Sequence, residues 1–138
     1  GYTGPLSIGS TAEVDQSGTD GTVDIVQSGN DQLATVAQSG TSNTANIDQS
    51  GVNNTASVSQ SVGTGSIVQI TQIGTALGNS AFVNQQGSNS TLFANQIGSE
   101  NVIGAAAAFV QTANSSSVGI DQNGTGNDLD GSQAGTSN

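Results

Sequence analysis

Residues 38–60 read QSGTSNTANIDQSGVNNTASVSQ, two copies of one template that share Gln49. The template is Q-x-G-x-x-N-x-A-x-[IV]-x-Q, with 11 residues from Gln to Gln. Extended outward, the same frame accounts for the chain from Ser10 to Gly135. A fixed period of this kind marks a repeat architecture. Gln16, Gln27, Gln38, Gln49, Gln60, Gln72, Gln85, Gln96, Gln111, Gln122 and Gln133 fill the Gln slot, at steps of 11, 11, 11, 11, 12, 13, 11, 15, 11 and 11. Two residues later stands Gly in nine copies of eleven; the exceptions are Val62, with Gly63 displaced by one, and Ala113. Four residues before each Gln the slot admits only Ala, Val or Leu, from Ala12 and Val23 to Ala107, Val118 and Leu129. Two residues before, it runs from Val14, Ile25, Val36 and Ile47 to Ala94, Phe109, Ile120 and Gly131.

The alternation inside a copy predicts a half-buried strand. Asn43, Ala45, Ile47 and Gln49 share one face, and Thr44, Asn46 and Asp48 the other. Period two is the strand period. Ser-Gly-Thr-Ser then turns the chain, with Gly40 free to take positive φ. Two strand-turn units make a coil of about 22 residues, and coils stack through parallel strands. The expected fold is therefore all-β, a two-sheet parallel β-solenoid of β-arch repeats with eleven strand-turn units. A three-sided coil of about 33 residues is the competing geometry, but its wider interior calls for larger residues than Ala and Val. Inward amides are costly if unpaired, and stacked in register they bond to the copies above and below. The expected inner ladder is the eleven Gln together with Asn43, Asn54, Asn79, Ser66, Ser90 and Ser116.

Residues 1–9 fall outside the frame and are expected to be an N-terminal leader, read either as flexible or as a secretion or docking tag. Leu6 and Ile8 share the parity of Ala12 and Val14, which allows an early start to the first strand. Residues 10–138 form the repeat domain, whose last unit, 127–138, is degraded because Gly131 replaces the branched residue. The frame slips before Gly63, between Gly74 and Asn79, and by four residues between Gly98 and Gln111. All three slips are expected in turns or at strand starts. On that phasing Ala105, Ala107 and Phe109 point inward, while Ala106, Ala108 and Val110 point outward beside Phe82. This outward apolar group is read either as a lateral filament contact or as tolerated surface.

Composition excludes several functions. The chain of 138 residues has ten acids, no Lys, Arg, His or Cys, and a net charge of −10. Without basic residues it offers nothing to a phosphate backbone or an anionic lipid, so neither nucleic acid nor membrane insertion is expected. Only 32% of residues are hydrophobic, a composition of disorder, but the periodic placement on one face supplies the thin core that a solenoid needs. No His or Lys completes a catalytic dyad, and every acid falls on outward parity or in a turn, so no enzyme is expected. Repeated turn acids could hold calcium, but the position four after Gln holds Asp20 and Asp31 and then Ser42 and Asn53. No metal or cofactor is expected. A row of outward Thr could bind ice, although Thr22, Thr44, Ile67, Thr91 and Ser117 make an interrupted row. A monomeric ice-binding solenoid is the alternative function.

The template S-x5-Q-x-G-x-x-N-x-A-x3-Q resembles the curlin repeat of the major and minor curli subunits, bacterial extracellular amyloid fibres. Asn43–Gln49, Asn54–Gln60 and Ser116–Gln122 carry the spacing, and Ser10, Ser66, Ser90 and Ser116 occupy the Ser slot. The resemblance spans residues 10–135. The chain departs from it in lacking Lys and Arg, in having one Tyr, and in the step of 15 near Ala105. The resemblance implies a secreted fibre subunit, exported unfolded by a dedicated secretion system and assembled outside the cell on a nucleator subunit. Its place is then the biofilm matrix and adhesion. Polymerisation also follows from the repeats alone. Soluble solenoids carry distinct polar caps, whereas the first and tenth copies here follow the same pattern as the middle.

Overall fold

Alternating small and branched residues on one face leave the chain little choice but extended structure, and Gly or Asn after each Gln turns it back. In the computed structural model, residues 8–137 are described, so residues 1–7 of the expected leader and Asn138 lie outside the described residues. Ile8 is 77% exposed and Gly9 has φ +76°, so the chain arrives through a turn and the first strand begins at Thr11.

One sheet contains β1 (Thr11–Gln16), β3 (Leu33–Gln38), β5 (Thr55–Gln60) and β7 (Ser80–Gln85). It continues through the paired segments β9 (Val102–Ile103) with β10 (Phe109–Gln111), and β12 (Asp128–Leu129) with β13 (Ser132–Gln133). The other sheet contains β2 (Thr22–Asn30), β4 (Thr44–Val52), β6 (Ile67–Gly74), β8 (Thr91–Ser99) and β11 (Ser117–Thr125). Every pairing is parallel. Successive units alternate between the sheets, which gives two sides per coil and rules out the three-sided coil. Gln always faces Gln across the coils. The separation between stacked Gln grows from 22 residues for Gln27 and Gln49 to 26 for Gln96 and Gln122.

The core is a thin layer between the sheets. Ala34, Ala45, Ala56, Val68, Ala81 and Leu92 occupy one row, and Val36, Ile47, Val58, Ile70 and Val83 the next, all at 2% exposure or less. The two kinds of turn differ. Strands of the second sheet run on past Gln at least as far as the Gly two residues later before turning, whereas those of the first end at Gln or short of it. Both turns share a left-handed residue, in most units four after Gln. There it is Asp20, Asp31, Ser42, Asn53, Asn89, Glu100, Ser115 or Ser137, with φ between 52° and 58°, or Gly126; in the two units with an enlarged step it is Gly65, five after Gln60, and Gly78, six after Gln72. This explains the polar, Asx-rich occupancy at that position: Asn, Asp and Gly tolerate the left-handed region.

One expectation from the sequence needs correction. The four-residue slip lies inside a strand. Ile103 pairs with Ala81 and Phe109 with Val83, so Gly104–Ala108 bulges where its neighbour has the single residue Phe82. Ile103 fills the inner slot at 0% exposure, while Ala105 and Ala107 are exposed and not core. Counting back from Gln111 put the insertion before Ala107; counting forward from Gly98 puts it after Ile103, and the larger Ile takes the buried place. Gly131, in turn, is compensated. A Cβ there would lie 3.2 Å from the Phe109 ring, so the large residue of one coil occupies the space of the small one below.

Candidate functional site

The alternation that buries Ala and Val also buries an amide in every unit. In the first sheet Gln16, Gln38, Gln60, Gln85, Gln111 and Gln133 form one ladder, each Nε2 donating to the next Oε1 at 2.7–2.9 Å. In the second, Gln27, Gln49, Gln72, Gln96 and Gln122 do the same at 2.8–2.9 Å. Each Nε2 from Gln27 onward also donates across the core to a backbone carbonyl of the opposite sheet, Gln49 to Leu33 O at 3.1 Å and Gln72 to Thr55 O at 2.9 Å. An Oε1 in that place would face another oxygen, so the cross-core contact sets the amide orientation. All nine ladder bonds therefore point towards the C-terminal end, and the ladders have a direction.

The interior members are almost fully enclosed: Gln27, Gln49, Gln72, Gln96 and Gln111 are 0% exposed and Gln122 is 7%. Gln133 is half-buried and Gln16 exposed, because they lie in the outermost strands. Asn43, Asn54, Asn79, Ser66, Ser90 and Ser116 are buried in the turns, at 3% exposure or less. Asn54 Oδ1 accepts from Asn79 N at 2.9 Å, and Ser66 Oγ donates to Gly87 O at 2.7 Å. These side chains tie successive turns together.

Sequence reasoning missed Gln32, 1% exposed, and Asn101, 0% exposed. Gln32 Nε2 donates to Ser28 O and Gly51 O at 2.8 and 2.9 Å, acting as a longer Asn. Asn101 Nδ2 donates to Asn79 Oδ1 at 3.0 Å. Its signal was present three residues after Gly98, where the frame places the inward polar residue, and was hidden by phasing from Gln111.

Of the outward apolar group, Phe82 and Val110 are half-buried on the first sheet, Ala108 is half-buried in the bulge and Ala106 is exposed there. Asp130 accepts from Ala106 N at 3.3 Å and holds the bulge to the last unit. The Thr row of the second sheet stacks in register and is broken at Ile67. No group of three potential metal-ligating side chains exists among the described residues, and no helix there is long and apolar enough to cross a membrane.

The two ends differ from the middle. All six residues of β1 are exposed, including inward Ala12 and Val14, the latter at 48%, whereas Ala34 and Val36 one coil in are at 0%. At the other end inward Val118, Ile120 and Leu129 are only half-buried. Gln27 Oε1, buried beside the first coil, has no hydrogen-bond partner.

No curated protein matches the chain. The family model of the curlin associated repeat matches residues 18–51 and 40–74, which together run from β2 through β6. The coils beyond them repeat the same slots in unbroken Gln register. The family is one of structural repeats and not of enzymes. Over residues 18–74 the chain is thus similar to the curlin associated repeat, and the ladder carries the same slots on to both ends of the solenoid.

Proposed function

We propose that the protein is the structural subunit of an extracellular, curli-like amyloid fibre, built by end-to-end stacking of solenoids. One observation carries the reading: inner slots that are sealed in the middle of the molecule are open at both ends. Val14 is 48% exposed where Val36 is at 0%. Open parallel edges over an uncovered core pair with another chain, and a second copy supplies the matching rows. The match to the curlin associated repeat over residues 18–74 supports the same reading, since the resemblance is to the subunits of extracellular curli fibres. In that setting the fibre serves biofilm matrix and adhesion, with a nucleator subunit and a dedicated secretion system as partners. Lateral contact between filaments through Phe82, Ala106, Ala108 and Val110 belongs to the same proposal.

Electron microscopy of the purified protein after standing, with thioflavin fluorescence alongside, tests it. Unbranched fibres that bind the dye are expected. A protein that stays monomeric and shapes ice crystals would instead be the ice-binding solenoid.

A further inference from the structure

We infer that the junction between two copies is a half-turn screw, matched in its amides and opposed in its charges. This rests on the fibre reading above. The first unit, β1, and the last, β12 with β13, both lie in the first sheet, which thus has one strand-turn unit more than the second. A copy added by translation sets its β1 on β13 and leaves a strand-wide gap in the second sheet. A copy turned by half a revolution about the fibre axis sets its β1 on β11 and its β2 on the β12–β13 unit, and both sheets continue.

In that arrangement the amide direction is preserved. Gln122 and Gln133 present Nε2 at the C-terminal end, and Gln16 and Gln27 of the next copy present Oε1. The Gln27 acceptor, buried and unpartnered in the single chain, receives the Gln133 donor. The opposite approach, N-terminal end to N-terminal end, sets acceptor against acceptor.

The same register fixes the outward neighbours. Asp15 stands one residue before Gln16, and Asp121 one before Gln122; Asp24 stands three before Gln27, and Asp130 three before Gln133. At the junction Asp15 therefore falls on Asp121, and Asp24 on Asp130. Within the chain no two acids are strand neighbours. Glu13 faces Thr35, Asp15 faces Ala37, Asp24 faces Asn46, Asp48 lies between Val26 and Thr71, Asp121 faces Asn95 and Asp128 faces Val102. Like charges directly opposite destabilise strand pairing. Carboxylate pairs thus occur only where subunits meet, and they slow the addition of each copy without weakening the fold of any one.

Seeded elongation, with preformed fibres and excess monomer, reads this directly. Wild-type elongation is expected to rise at least about fivefold between about 20 mM and about 500 mM NaCl as the pairs are screened. The double variant Asp15→Asn, Asp24→Asn should elongate several-fold faster at low salt and lose most of that dependence. Asp15→Lys, Asp24→Lys should reverse it, slowing as salt rises. Asp48→Asn removes one charge of the same kind from an interior coil and should change the rate by less than about 1.5-fold. Acceleration by Asp48→Asn equal to that of the end variants would overturn the register, as would a helical reconstruction relating subunits by pure translation. Absence of fibres at every salt concentration would instead overturn the fibre reading, and the junction with it.

Discussion

A buried glutamine is an expensive residue unless both ends of its amide are used. Gln49 uses them fully: Oε1 accepts from Gln27, and Nε2 donates to Gln72 and to Leu33 O. Gln49→Ala strands the Gln72 oxygen and removes the Gln27 acceptor. It should cost about 1–3 kcal/mol and slow fibre growth, while exposed Asp48→Ala should stay within about 0.5 kcal/mol. Denaturant melts and thioflavin growth curves of the two variants check this; equal behaviour would refute the inward assignment. Glycine offers a second contrast. Gly51 has φ +95°, and a Cβ there would run into the Gly74 backbone of the next coil, whereas a Cβ at Gly119 meets nothing within 4 Å. Gly51→Ala should be strongly destabilising. Gly119→Ala should be neutral or should gain up to about 1 kcal/mol through the unfolded chain. Thermal melts separate the two.

At the scale of the element, the ninth unit is the informative one. Its strand is split into β9 and β10 by Gly104–Ala108 and closes again in register at Phe109. A parallel strand in a stack can absorb such an insertion only on its outward side, because the inward slots on either side must still meet their partners. Ile103→Ala should therefore cost about 2–5 kcal/mol, the usual range for a fully buried Ile. Ala107→Asp should change stability by less than about 0.5 kcal/mol. The phasing counted back from Gln111 predicts the reverse order, so chemical denaturation of the two variants decides between the frames.

At the scale of the molecule, parity would govern assembly in the proposed fibre. Eleven units place the two ends on one sheet, and the proposed junction then calls for a half-turn between subunits, with a rise of about 26 Å at about 4.8 Å per coil. Truncation after Thr125 removes the last unit and leaves ten. The ends then lie on opposite sheets, the rotation vanishes and the rise falls to about 24 Å. Helical reconstruction of fibres from both chains measures the switch. An unchanged half-turn in the truncated form would count against the parity argument.

Much of this was legible in the chain because a repeat states each structural requirement many times over. The period of 11, the Ala and Val rows, the Gln ladder and the two-sheet coil all follow from slots that recur in every unit. The match to the curlin associated repeat over residues 18–74 rests on the same slots. What occurs once could not be read that way. The place of the bulge, Ile103 rather than Ala107 in the core, the Phe109 ring filling the space at Gly131, and the burial of Gln32 and Asn101 are each decided by which side chain best fills one particular space between two coils. The direction of the ladders was likewise hidden, because an amide is the same letter whichever way it points. Only the carbonyl across the core, brought there by the opposite sheet, distinguishes its donor from its acceptor.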